Sequence, residues 1–317
     1  MMLSRRRFMT ITAGTALVGS AAPAAAKTVS WRGVALGAEA KLIITGLPDV
    51  EARRLIKLAR REIERLENIF SLYRSDSTLS VLNSNGALKV PPPELLILLS
   101  RVSAVHTATG GLFDPTVQPL WQAFAEHRGK PDETLVRDAR EKVGWRFVNY
   151  SSTEISFARR GMQLTLNGIA QGFITDRITA LLRAEGLANA IVNIGEISAI
   201  GHKPDGDPWQ IGLVTNADEA ATDFISMNNR CVATSAPLGT TFDGVNSHIL
   251  SPLSGRPVQS CWQRASVVHG SAAMADGLST AAILMNEAQL TECIKTVGHV
   301  VLNARRADGS LLIIRQE

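Results

Sequence analysis

Thr165-Leu166-Asn167-Gly168-Ile169-Ala170-Gln171-Gly172-Phe173 is the stretch on which the fold class turns. An apolar run, Met162–Leu166, reads as a strand that turns through glycines into a helix from about Gly172 to Glu185, stopped by Gly186. Such a turn aims backbone amides at a helix N-terminus, a natural seat for a phosphate. Yet the residues match neither G-x-x-x-x-G-K-[ST] nor G-x-G-x-x-G, so neither the P-loop nor the dinucleotide fingerprint applies. As a bare β–turn–α junction the stretch is ambiguous, and its neighbours must decide.

Upstream, Ala52, Ile56, Ala59, Ile63, Leu66 and Phe70 recur at intervals of 4, 3, 4, 3 and 4 with Arg and Glu between them, which predicts an amphipathic helix over 50–70. A second helix opens at Pro91 to Pro93 and ends at Gly110-Gly111. Downstream, Ser271 is a candidate N-cap for a helix reaching Met285. Short apolar runs at Lys41–Thr45, Ala190–Ile194, Trp209–Val214, Cys231–Thr234, Ser266–His269, His299–Asn303 and Leu311–Ile314 read as strands, with His202 to Pro208 a turn between two of them. Helices and strands alternate without a regular βαβ repeat. The expectation is an α+β protein with mixed or antiparallel sheets and packed helices.

The chain has 317 residues and a formal net charge of +4, from 33 Lys and Arg against 29 Asp and Glu. Arg5, Arg6 and Arg7 stand in an acid-free leader, and without them 30 basic groups face 29 acidic ones. The basic balance therefore makes no general case for nucleic acid, and no basic run with interleaved aromatics follows. Ser4-Arg5-Arg6-Arg7-Phe8-Met9, a short apolar stretch and Ala24-Ala25-Ala26 have the order of a twin-arginine signal peptide over residues 1–26, which implies a periplasmic mature protein at 27–317. No later stretch is long enough to span a bilayer. Cys231, Cys261 and Cys293 show neither a disulfide framework nor a C-x-x-C pattern, and each reads as a small buried hydrophobe.

Polar groups interrupt the apolar elements at four further places. Tyr73, one of two tyrosines, sits in the Ser-rich loop after the first helix, either as a stacking platform or as a cover for the helix end. In Gly110-Gly111-Leu112-Phe113-Asp114-Pro115, paired glycines permit close approach of a ligand, and an Asp held extended before Pro is expected to aim its carboxylate outward. Asp276 and Thr280, at i and i+4, share one helix face and offer two oxygens to a hard cation or to each other. His248, read as lying on a strand before a Pro–Ser–Gly turn, is a base or a capped edge residue; no His has zinc-ligand spacing to another.

In this order the segments resemble the ApbE family of FAD:protein FMN transferases. The likeness lies in Phe-Ser-x-Tyr-x-x-x-Ser-x-x-Ser-x-x-Asn from Phe70 to Asn83, Gly-x-Phe-Asp-Pro-Thr-Val from Gly111 to Val117, and Val-Asn-Ile-Gly from Val192 to Gly195. It continues in Val-Ala-Thr-Ser at 232–235, His-Ile-x-x-Pro-x-x-Gly from His248 to Gly255, and Ala-Asp-x-Leu-x-Thr-Ala from Ala275 to Ala281. The resemblance implies an ApbE-like fold and Mg²⁺-dependent transfer of FMN from FAD to a Thr or Ser hydroxyl of an acceptor protein, with release of AMP. It implies His248 as the catalytic residue, and Asp276, Thr280 and the carbonyl of Gly168 as Mg²⁺ ligands. Leu36, Tyr73, Leu112, Phe113, Asp114, Thr165, Gln171 and Leu250 fall where the family contacts FAD, with Tyr73 against the isoalloxazine. The acceptor it implies is a flavoprotein of a respiratory electron-transport complex exposed to the periplasm.

Three departures stand out. The family commonly has Asp-Leu-x-x-Ile-Ala-Lys-Gly where this chain has Thr165-Leu166-Asn167-Gly168-Ile169-Ala170-Gln171-Gly172, losing a carboxylate and an ammonium. Thr-Ser-Gly reads Thr234-Ser235-Ala236, and Val-Asn-x-Gly-Gly-Asp is shortened by one residue to end at Gly195-Glu196. An FAD pyrophosphatase on the same scaffold, or a non-catalytic periplasmic flavin-binding protein, are the alternative readings.

Overall fold

A computed structural model describes residues 28–215, 221 and 223–316. The leader therefore lies outside the described residues. Thirteen strands are defined there: β1 (Thr28–Ala35), β2 (Ala38–Thr45), β3 (Ala87–Lys89), β4 (Val148–Tyr150), β5 (Glu154–Phe157), β6 (Ala190–Ile194), β7 (Ile197–Ile200), β8 (Trp209–Leu213), β9 (Asp223–Met227), β10 (Cys231–Ser235), β11 (Trp262–His269), β12 (Val300–Arg306) and β13 (Leu311–Gln316). The α-helices are α1 (Asp49–Phe70), α2 (Thr78–Asn85), α3 (Pro93–Ala108), α4 (Gln118–Glu126), α5 (Glu133–Arg140), α6 (Ala170–Ala184), α7 (Ala272–Ala282) and α8 (Glu287–Val297).

Eight strands form the main sheet in the order β1-β2-β6-β7-β10-β11-β12-β13, every neighbouring pair antiparallel. The period of two divides its side chains between two cores. Val192 and Val267 face the helical layer of α1, α3, α6, α7 and α8, whereas Ile191 and Val268 face the opposite side, where the β8–β9 ribbon covers them with Trp209, Ile211 and Leu213. The α+β expectation holds, and the sheets are antiparallel throughout.

The stripe read from the sequence of α1 is its buried face, and Phe70 at its end meets Phe173 of α6 edge-on, ring centroids 5.4 Å apart. Helices α6 and α7 approach closely because a glycine stands at the crossing: a Cβ on Gly172 would lie 2.3 Å from the carbonyl oxygen of Ala272. Gly277 does the same for α3, where a Cβ would lie 3.0 Å from Val105. Ser271 caps α7 as expected, its hydroxyl accepting from the Met274 amide.

Three expectations are corrected. Met162–Leu166 is not a strand: Asn83 clasps Leu164 through both backbone groups, at 2.7 and 2.8 Å, and the Thr165 amide donates to the Pro115 carbonyl at 2.8 Å. These bonds satisfy the backbone in place of a strand partner. His248 lies in a loop, between the isolated bridges Thr241–Ser247 and Leu250–Pro257. Cys261 is exposed in the turn before β11, whereas Cys231 and Cys293 are buried.

Candidate active site

One pocket collects eleven of the twelve site residues read from the sequence, from segments separated by as many as 207 positions, Tyr73 to Thr280. Its floor is the start of α6 against one face of α7. Asp276, from α7, is 4% exposed and accepts the Gly172 amide at 3.1 Å on Oδ2. Thr280, one turn on, is held by Ser235 of β10, whose hydroxyl lies 3.5 Å from Thr280 Oγ1 and 2.8 Å from Ser279 Oγ. Gly168 faces this pair so closely that a Cβ would stand 3.0 Å from Thr280 Oγ1 and 3.4 Å from the Phe113 ring.

A further carboxylate enters the pocket from the β6–β7 turn. Glu196 is 8% exposed, and burial with the nearby charge of Asp276 pushes its carboxyl well above the ordinary range, against the pull of a Thr234 amide. Asp276 is itself pushed up to about 7, by burial and by the charge of Asp176, opposed by the Gly172 bond. Two acids buried side by side disfavour each other's ionised form, and a cation between them reverses the sign of that interaction. The donors available here, carboxylate, hydroxyl and backbone carbonyl, are hard oxygens suited to Mg²⁺. Asp276, Thr280 and Gly168 therefore fit the metal that the sequence implied, with Glu196 beside them. Among the described residues no group of three or more His, Cys, Asp and Glu forms a metal cluster.

His248 forms the opposite wall. Its Nδ1 lies 2.8 Å from the Thr240 carbonyl, which can only accept, so the proton sits on Nδ1 and Nε2 keeps its lone pair. Burial holds the imidazole below its usual pKa, outweighing the Thr240 bond that favours the charged form. A neutral ring with a fixed tautomer is the form a general base requires.

The rest of the cavity is apolar and aromatic. Leu112, Phe113, Trp121, Leu250 and Leu284 line it, with Tyr73 at the mouth. Tyr73 is 51% exposed, so its ring is open for stacking while its phenol contacts Asn167. Thr165 and Gln171 line the pocket too, Gln171 packed on Gly195, where a Cβ would come within 2.7 Å of its amide.

Two placements differ from the sequence reading. Asp114 is extended, as expected before Pro, but its carboxylate turns inward: Oδ1 accepts from the Thr116 amide and hydroxyl at 2.9 and 2.5 Å, and Oδ2 from the Trp145 amide at 3.0 Å. Three donors fix it as the knot of its loop, so what it presents to the pocket is loop shape. Leu36 does not line the pocket; it lies in the β1–β2 turn, its amide donating to Glu67 at 2.8 Å. Trp121, Asn167 and Thr240 went unread, since no local pattern marks an aromatic or polar residue whose partner lies in another segment.

A family model described as the ApbE family matches residues 36–302. The chain belongs to the ApbE family. Among curated ApbE relatives, proteins named FAD:protein FMN transferase from Chlamydia pneumoniae and Vibrio cholerae are 27% and 28% identical to it, over 74% and 72% of this chain and 78% and 72% of theirs. One of that name from Escherichia coli is 22% identical over 80% of this chain and 78% of its own. Solved ApbE structures share the fold: the flavin transferase ApbE of Vibrio cholerae superposes with a TM-score of 0.80 at 24% identity, covering 92% of this chain and 98% of its own. The apo flavinyl transferase ApbE of Pseudomonas stutzeri gives 0.77 at 24% identity, covering 94% and 98%.

Proposed function

We propose that this ApbE protein is an FAD:protein FMN transferase that uses Mg²⁺ to move FMN from FAD onto a Ser or Thr hydroxyl of an acceptor protein. The observation that carries the reading is the pairing, across one pocket, of a neutral imidazole with a buried set of oxygen donors. Tyr73 stacks on the isoalloxazine, and Leu112, Phe113 and Leu250 exclude water from the ring and the diphosphate. His248 Nε2 takes the proton of the acceptor hydroxyl as its oxygen bonds to the flavin-side phosphorus. The bond from that phosphorus to the bridging oxygen breaks, and AMP leaves with the bridging oxygen. Asp276, Thr280 and the Gly168 carbonyl would hold Mg²⁺, which neutralises charge on the diphosphate oxygens when bound. Loss of the family's Asp and Lys at Thr165 and Gln171 removes one charge of each sign, so the net charge around the diphosphate is preserved.

The twin-arginine leader supports export, and with it a periplasmic or membrane-bound acceptor such as a flavoprotein of a respiratory complex. Incubation with FAD, Mg²⁺ and a candidate acceptor flavoprotein tests the reading. Covalent flavin fluorescence on the denatured acceptor is expected; free FMN and AMP alone would make the protein a pyrophosphatase, and binding without turnover a flavin carrier. His248→Asn should lower the transfer rate at saturating FAD and Mg²⁺ by about 10²-fold or more, and full retention would remove His248 from the chemistry. Because burial lowers the imidazole pKa, the acid limb of the wild-type rate profile should fall below pH 6.5.

A further inference from the structure

A second concavity opens where the main sheet ends. β1 is the terminal strand, paired only with β2 among the described residues, so the outer edge of Val29–Ala35 presents backbone donors and acceptors with no described strand beside them. The other wall is the exposed face of α1, where Lys57, Arg60, Arg61, Glu64 and Glu67 follow one another at helical spacing. Trp31 folds back over Gly33 to floor the cleft and carries the Arg60 guanidinium 5.9 Å above its ring. Arg32 and Arg74 complete the rim.

The charge here is unbalanced in a chain that is otherwise nearly neutral. Glu67 is engaged, accepting from Leu36 N and lying 3.7 Å from Arg74. Arg32, Lys57, Arg60 and Arg61 form no ion pair among the described residues, and Glu64 alone offsets them within the cleft. The cleft and the pocket are linked along the chain: Arg74 of the cleft follows Tyr73 of the pocket, and the Tyr73 ring lies 3.4 Å from where a Cβ on Gly37, in the turn after β1, would be.

We infer that this cleft docks an extended acidic segment of the acceptor protein, added as a strand to the outer edge of β1 with its carboxylates against Arg60, Arg61 and Lys57. Main-chain bonding to an open edge with side chains read by a flanking wall is a recurrent mode of peptide capture. Concavity argues against a flat bilayer, and a single Trp whose face Arg60 already covers is no stacking platform for nucleic acid. From Lys57 to Glu67 the helix rises about 15 Å, so the wall faces a segment of roughly five extended residues.

The assignment rests on the transferase reading for the owner of the segment, and the test separates the two. A fluorescein-labelled decapeptide of alternating Glu and Thr, and its Lys–Thr counterpart, are titrated by anisotropy at low and high salt into wild type, Arg60→Glu/Arg61→Glu, and the control Lys295→Glu/Arg315→Glu at the far end of the sheet. FAD affinity is measured on each protein. Wild type should bind the acidic peptide in a salt-sensitive way, the α1 variant should bind it about tenfold more weakly, and the control and all FAD affinities should be unchanged. Equal binding of the Lys peptide, equal loss in both variants, no binding by wild type, or stronger displacement of the peptide by a single-stranded decanucleotide or phosphatidylglycerol vesicles would each overturn the inference. Failure to bind FAD with the peptide result intact would instead strike the transferase reading.

Discussion

Gly168 shows how little room the site leaves at a single residue. A methyl there would press on Thr280 and Phe113 together, so Gly168→Ala should cost Mg²⁺-dependent transfer at least tenfold while changing stability by under about 1 kcal/mol. Titration of Mg²⁺ by calorimetry and a thermal melt separate the two effects. Asp276 gives a prediction with a sign. Its folded pKa of about 7 stands above the ordinary 3.8, so between those values the folded state holds more protons than the unfolded one, and stability falls as pH rises. Metal-free protein should therefore lose melting temperature from pH 5 to pH 8; Asp276→Asn should flatten that slope and, on the proposed Mg²⁺ role, remove any gain in melting temperature on adding Mg²⁺. The identities of such residues were legible in the sequence, but their directions were not. Asp114 was expected to point outward, and it points inward because two amides and a hydroxyl from Thr116 and Trp145 reach it first.

Elements carry these residues, and α7 carries Asp276 and Thr280. Its N-terminus is tied to α6 by Asp176, which accepts from the Ser271 hydroxyl at 2.6 Å and from the Ala272 and Ala273 amides at 2.7 and 3.1 Å. Asp176→Ala should destabilise the fold by about 2 kcal/mol, since it removes charge-assisted bonds at a helix start, and a urea melt would show it. Helix α1 could be read from its periodicity because it keeps one continuous apolar stripe, whereas α3, α6 and α7 were legible from their punctuation: the prolines before α3, Gly186 after α6 and the Ser271 cap of α7. The short α2, α4 and α5 have too few turns to show such a stripe, and α8 follows α7 after only a brief break. Strands failed where the backbone bonds to side chains: Met162–Leu166 has strand composition, but Asn83 occupies its hydrogen bonds. β1 escaped notice because Thr28–Ala35 alternates polar with apolar residues around a glycine, as an edge strand can.

Over the whole molecule, the β8–β9 ribbon is fastened to the back of the sheet by a charge cluster. Asp223 on β9 accepts from Arg264 on β11 at 2.7 Å and Arg305 on β12 at 2.9 Å. Burial raises its proton affinity, but the two guanidinium groups win and hold its pKa below the usual value. Asp223→Ala takes the carboxylate from a guanidinium that is 1% exposed, and should cost about 3 kcal/mol, read as a lower denaturant midpoint. That acid was silent in the sequence, as was the order of strands, because pairing partners are set by the closure of the chain over long separations. Ala40 pairs with Ile194, and the pocket gathers walls from Tyr73 through Leu284. Loops of that length must close before any of those contacts form, which slows folding relative to locally wired domains. The helices can therefore form early, whereas a pocket walled from Tyr73 to Leu284 is complete only when those long-range contacts are, so FAD bound there should slow unfolding and leave the folding rate unchanged.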